Sequence, residues 1–227
     1  MSPAVVDSVG GICVFRGKMG DRSAVLAKSG MGAERAEVAA STLIESVHPK
    51  ALIIAGFCGG LLDEPGQLVI PDLVLDDRRN GIDGELRPNA DMLAQAHATY
   101  GVMRQSPQRK LLTAQRILRT KAEKQLACRD ARTFHAVDME TFGAAEAAIR
   151  AGVPWLAVRA VTDGQLDEMP LDFSHFKNEE GEVQRGRIAL AMLARPWKIP
   201  AMITLGIRSF RAARNLAEFV ERYVAEL

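Results

Sequence analysis

Three short stretches carry side chains able to do chemistry, and each follows an apolar run. Asp138-Met139-Glu140 sets two carboxylates around a methionine at the mouth of a helix otherwise built from Gly143, Ala144, Ala145, Ala147 and Ala148. Thr162-Asp163-Gly164 closes "PWLAVRAVTDG", and Gly56-Phe57-Cys58-Gly59-Gly60 closes "ALIIAGFCGGL". Carboxylates accept hydrogen bonds from hydroxyls and move protons, and glycines at a strand end let a ligand come close. Each stretch also has a plainer reading. An acidic residue at a helix start caps it, glycines after a strand make a turn, and "TDG" is ordinary turn chemistry. Their joint occurrence at three strand ends favours a site, because open α/β sheets bind ligands beyond the carboxyl ends of their strands. Pattern alone names no substrate.

The elements that must position these residues alternate along the chain. "GICVFR" and "SAVLAK" predict a hairpin around "GKMGD", and "SGMGAERAEVAASTLIESV" predicts a glycine-rich turn opening a helix. "ALIIAGFCGGL" is a continuous apolar run, the pattern of a strand buried on both faces, and "PWLAVRAVTDG" predicts another buried strand ending in an acidic residue. "GQLVIPDLVLDD" predicts another strand, with an edge, bulge or bend at Pro71. A surface loop is expected over 76–89, helices near 89–100 and 120–130, a strand near 108–114, a loop over 164–186 and mostly helix thereafter. Strands alternating with helices give the fold class: α/β, three αβα layers around a central mixed, largely parallel sheet, with a helical C-terminal tail. The expected organisation is one domain over residues 1–187, extended by helical residues 188–227.

The totals narrow the function classes. A net charge of +1 with 25% charged residues leaves no footprint for nucleic acid, and 48% apolar residues suit a soluble protein with a sizeable core. Three scattered cysteines and four histidines without ligand spacing argue against a disulfide framework or a metal site, so no cofactor is expected. No apolar run reaches about 18 residues and no signal peptide is visible, which points to the cytoplasm.

"KSGMGAERA", "GFCGGL", "VDME" and "VRAVTDG" resemble, in order and spacing, the nucleoside phosphorylase/nucleosidase superfamily, most nearly its methylthioadenosine/adenosylhomocysteine nucleosidases. The likeness runs from about Gly10 to Phe173. It implies a phosphorylase/hydrolase-like fold and cleavage of a nucleoside N-glycosidic bond by water, with phosphate as co-substrate in the alternative. It also implies roles. Glu140 would accept the ribose hydroxyls and Met139 would lie against the sugar. Asp163 would be the acid that protonates the departing purine at N7, oriented by Thr162, with burial raising its pKa in the required direction. Asp138 would bind substrate or cap the helix, Arg159 would be a structural partner of a carboxylate, and Phe57 and Gly59 would line the site. Met31 and Phe173 fall where relatives contact the 5′ substituent, although core packing explains each equally well alone. A homodimer is implied by the same analogy.

The chain departs from that pattern in two places and extends it in a third. Relatives carry a strand, turn and helix ahead of the hairpin, including a glutamate that positions water. Here "MSPAVVDSVGGICVF" starts almost at the hairpin, so a truncated chain, impaired catalysis in a nucleoside-binding protein, or a substitute group are all open. Phe57 stands where relatives place a small hydroxyl residue, and no matched basic residue is seen for phosphate, which favours water. The tail, with its "RPWKIP" break before a long amphipathic helix, resembles the hopanoid-associated branch, whose members release adenine from adenosylhopane. Its Arg195, Lys198, Arg208, Arg211 and Arg214 beside Trp197, Ile199, Ile203 and Leu205 make it a candidate for peripheral membrane contact, against the plainer reading of a helix packed on its own core.

Overall fold

The structure is a computed structural model in which residues 5–78, 84–101, 109–128, 134–176, 178 and 184–227 are described. Parts of the expected loops (79–83, 177 and 179–183), the start of the expected strand (108) and the end of the expected helix (129–130) lie outside them.

The chain opens with three antiparallel strands, β1 (Val5–Val9), β2 (Ile12–Met19) and β3 (Arg22–Ala27). The hairpin turn is tighter than expected. Gly17, Lys18 and Met19 pair with Ala24, Ser23 and Arg22, which leaves Gly20 and Asp21 alone to reverse the chain. Gly20 does so at φ 59, a conformation that costs glycine little. Helix α1 (Ala33–Val47) follows, then β4 (Leu52–Gly60). The run expected as one strand around Pro71 is two, β5 (Leu68–Val69) and β6 (Leu73–Asp76), placed on opposite sides of the sheet. Proline has no N–H to give a ladder, so the break falls there. A two-residue strand β7 (Glu85–Leu86) sits inside the stretch read as a loop, and Asn89 caps α2 (Ala90–Tyr100) by accepting from Met92 N at 3.0 Å.

Next come β8 (Lys110–Thr113), α3 (Lys121–Ala127), β9 (Ala136–Asp138), α4 (Thr141–Arg150) and β10 (Trp155–Asp163). Thr120 and Glu123 form a reciprocal capping box that sets where α3 starts, and hence which way Lys124 faces. Two helices end the chain, α5 (Arg185–Leu193) and the long α6 (Ile199–Glu226).

The main sheet has the order β5-β10-β4-β9-β8-β6-β7. It is mixed: β10/β4, β8/β9 and β6/β8 are parallel, while β10/β5, β4/β9 and β6/β7 are antiparallel. Helices α1 and α4 cover one face, in a core that includes Ala36, Leu43, Ile54, Phe142 and Ala157. Helices α2 and α6 cover the other through Met92, Ala212, Phe219 and Tyr223 against Leu156, Val158 and Ala160. All nine residues of β10 are buried, among them the polar Arg159, Thr162 and Asp163. The small residues of α4 let α1 come close: a Cβ on Gly143 would strike the Ala33 carbonyl. Among the described residues β3 pairs only with β2, and β4 meets β9 only at Gly59 and Gly60. The two strands therefore leave open edges on either side of one cavity.

Candidate active site

That cavity has a volume of about 570 Å³ and lies where β4, β9 and β10 end. Asp138, Met139, Glu140 and Asp163 line it, together with Gly59, Phe57, Met31 and Phe173. Every residue to which the resemblance gives a site role is thus brought to one cavity. Register explains the convergence. Parallel pairing sets Arg159 beside Gly56, and a bulge between Val161 and Asp163 re-aims the strand so that Asp163 stands beside Gly59. Glycine at position 56 leaves room for the Arg159 guanidinium, which a Cβ there would push aside.

Asp138 is fully covered, and its oxygens are committed inside the protein. Oδ1 accepts from the Thr113 hydroxyl at 2.8 Å, and Oδ2 accepts from Thr141 N at 3.0 Å and from the Thr141 hydroxyl. Arg159 Nη2 lies 2.7 Å from the same Oδ2, and Arg159 Nε donates to Thr141 Oγ1 at 2.8 Å. Asp138 therefore holds the start of α4 and Arg159 together.

Glu140 is the more available carboxylate, with its side chain 18% exposed. Oε1 accepts from Gly32 N at 3.0 Å, tying the turn before α1 to the start of α4, and Oε2 lies 3.7 Å from Arg159 Nη1. Burial raises its pKa above the ordinary carboxylate range; Arg159 opposes the shift and Asp138 adds to it.

Asp163 Oδ1 accepts from the Thr162 hydroxyl at 2.8 Å, the arrangement the resemblance implied. On the other oxygen stands Lys124, whose Nζ is 2.5 Å from Oδ2 and whose side chain is 0% exposed. The loop after β10 closes over this pair. Asp167 Oδ2 accepts from Gly164 N at 2.8 Å and from Arg208 of α6 at 2.5 Å, so the tail helix braces the turn that follows Asp163. Cys58 also lines the cavity, and burial pushes its thiol pKa well up, so it stays protonated there.

The family model described as the phosphorylase superfamily matches residues 4–194. The chain belongs to the phosphorylase superfamily. Membership makes it an enzyme of N-glycosidic bonds, a nucleosidase or a nucleoside phosphorylase in kind. It is 24% identical over 195 residues to a 5′-methylthioadenosine/S-adenosylhomocysteine nucleosidase of Shewanella baltica, covering 78% of this chain and 81% of that one. Its fold is similar to that of the Neisseria meningitidis nucleosidase of the same name, solved with methylthio-immucillin-A, at a TM-score of 0.75 and 18% identity over 100% of this chain and 91% of that one. It is also similar to the futalosine hydrolase of Helicobacter pylori, at a TM-score of 0.74 and 13% identity over 99% of this chain and 89% of that one.

Several residues in and around this cavity were not legible in advance. Lys124 sits on a seven-residue helix, where a lysine ordinarily faces water, and its partner is 39 positions away. Thr113 serves both Asp138 and Phe142 N, and no motif marks it. Lys28, Arg116, Ile117, Leu118 and Met169 also line the cavity. Lys28 had a signal in position, since it opens the "KSGMGAERA" motif; Arg116, Ile117, Leu118 and Met169 had none.

Proposed function

We propose that the protein is a purine nucleosidase that releases adenine by hydrolysis from an adenosine-type nucleoside with a large apolar 5′ substituent, adenosylhopane being one such substrate. The observation that carries this reading is the gathering of Met139, Glu140 and Asp163 on one cavity whose wall continues into Met31, Phe57, Met169 and Phe173. Glu140, ionised, accepts the ribose hydroxyls, and Met139 covers the sugar and excludes water. Asp163 delivers a proton to N7 as the C1′–N9 bond stretches, so the base leaves neutral. The Glu140 carboxylate, open to the cavity beside the place of the sugar, suits a sugar that becomes cationic. Water then captures that sugar. No step calls for a cofactor.

Phosphate in place of water is the second reading, and Lys28 favours it: this lysine lines the cavity next to Ser29 and Gly30, with its Nζ 5.9 Å from the centre of the Phe15 ring. Arg116 and Arg159, the other arginines on the wall, already hold Glu123 and Asp138. Adenine release from methylthioadenosine, adenosine and a long-chain 5′-alkyl adenosine, with and without phosphate, separates the readings. The expected result is phosphate-independent release, fastest with the alkyl analogue. Release only with phosphate would establish the phosphorylase, and binding without release would leave a nucleoside-binding protein.

We read residues 188–227 as an extension of the same domain that also rests on an anionic lipid surface in the cytoplasm. The second half of α6 packs on the sheet, whereas residues 199–211 include none that is buried. Leu193, Trp197 and Phe210 are 77%, 72% and 74% exposed beside the exposed Arg195 and Arg211. Lys198 Nζ donates to Pro170 O at 2.7 Å, next to the cavity residue Met169, so this surface adjoins the mouth of the site. Among the described residues no single helix is long and apolar enough to cross a membrane, and α5 and α6 are bent by 116° at their junction. Co-sedimentation with phosphatidylserine vesicles is expected, weakened at least about tenfold, or roughly 1.4 kcal/mol, by Trp197→Ser with Phe210→Ser. Equal binding by the variant would remove this surface from the account.

A further inference from the structure

Among the described residues the most unusual ionisable group is Lys124. Its side chain is wholly enclosed, yet it sits on a helix of only seven residues. Burying an ammonium is costly unless each N–H finds an acceptor. Here the three do: Asp163 Oδ2 at 2.5 Å, Gly164 O at 2.7 Å and Asp167 O at 3.0 Å. The other Asp163 oxygen is held by Thr162. Taking nucleoside cleavage as the function, this arrangement raises a question. A carboxylate paired with an ammonium has no proton of its own to give to a purine.

We propose that Lys124 supplies that proton, acting through Asp163. The proton starts on Lys124 Nζ. When substrate fills the cavity and displaces water from the carboxylate, separated charges lose their solvation, and a neutral amine beside a neutral carboxyl becomes the easier pair. Nζ gives its proton to Asp163, and Asp163 gives one to N7 of the base as the C1′–N9 bond breaks. Lys124 is left as a neutral amine and Asp163 again as a carboxylate. The water that adds at C1′ releases one proton, which restores the ammonium through solvent once product leaves. Nucleoside and water go in, base and sugar come out, and the protein is unchanged.

Geometry favours lysine for this task over a fixed cation. After transfer, the remaining two N–H bonds of Nζ stay on the carbonyls of Gly164 and Asp167, and its lone pair faces Asp163. No buried N–H is stranded at any stage; once the proton has gone to N7, the Nζ lone pair faces the Asp163 carboxylate with no proton between them, and that contact draws the proton back when product leaves. Arginine does not give up a proton in proteins and has no lone pair to receive one back. Lys124 touches no substrate. It is a positioning and proton-supplying residue for Asp163.

The test compares Lys124→Met and Lys124→Gln with the wild type on two substrates: an adenosine analogue that the wild type cleaves, and its N7-methylated form, whose base leaves neutral without a proton. For the first, kcat is expected to fall by roughly a hundredfold or more, with KM within about threefold because the ribose contacts are intact. For the N7-methylated substrate the variants are expected to match the wild type. Gln retains donors for the two carbonyls, which guards against a simple loss of folding. The ratio of the two rates on one preparation also cancels any inactive fraction. Unchanged kcat for the first substrate, or a parallel loss on both, would overturn the proposal and reduce Lys124 to a brace. A wild type that cleaves neither would overturn the nucleosidase reading itself.

Discussion

Asp163→Asn is expected to lower kcat for adenine release by roughly a hundred- to ten-thousand-fold while substrate binding changes little. The amide cannot pass a proton to N7, whereas Glu140 and Met139 line the same cavity from a different element and are untouched. The substitution also acts on the fold. Asp163 and Lys124 are both buried, at 4% and 0% relative exposure, and the neutral amide leaves the ammonium without its counter-charge. Losing one partner of a buried ion pair costs about 3–5 kcal/mol, so a lower thermal midpoint should accompany the loss of activity. Binding of adenine or a non-cleaved analogue to the folded fraction separates the two effects. Wild-type kcat in a folded Asp163→Asn protein would exclude Asp163 as the acid.

Arg159→Met is the second large effect, and it is chiefly one of stability and pH. The guanidinium is 3% exposed and holds Asp138 at 2.7 Å, Thr141 at 2.8 Å and Glu140 at 3.7 Å. Without it Asp138 keeps its hydroxyl and amide donors but is a buried carboxylate with no cation, at a cost of about 3–5 kcal/mol in urea unfolding. Part of that loss should return in the double variant Arg159→Met with Asp138→Asn, since the stranded charge is then gone. No recovery would mean that the cost comes from packing.

The pH effect has a definite sign. The pKa of Glu140 is raised by burial, and Arg159 is the neighbour that lowers it. Ribose hydroxyls need the ionised carboxylate, so kcat/KM holds above that pKa and falls as pH drops through it. Removing Arg159 lifts the pKa further, and the acid limb should move to higher pH. Removing the Asp138 carboxylate, which raises Glu140, should move the limb down. A limb in the same place in both variants would show that Glu140 does not govern it.

How far the sequence reaches is clearest in the elements around this site. β10 was legible because burial on both faces leaves a mostly apolar run, broken by Arg159 and closed by Thr162 and Asp163. The helix of Gly143 and alanines was legible because close helix packing admits only small side chains. The strand around Pro71 was misjudged. Its two halves are locally alike, and only long-range pairing sends β5 to one edge and β6 across the sheet. The short β7 was missed for the same reason, since it is a strand only because β6 lies beside it.

By itself the sequence determined the layered α/β class, the glycine and carboxylate motifs at strand ends, and the superfamily to which they belong. Those are local properties: periodicity, turn chemistry and short motifs all lie within a few residues. Tertiary structure alone decided the division of labour among the carboxylates. Asp138 is committed to Thr113, Thr141 and Arg159, Glu140 remains open to the cavity, and Asp163 is paired with Lys124 from a separate helix. Charge environment depends on which side chains meet across distances of tens of residues, and folding is what brings them together.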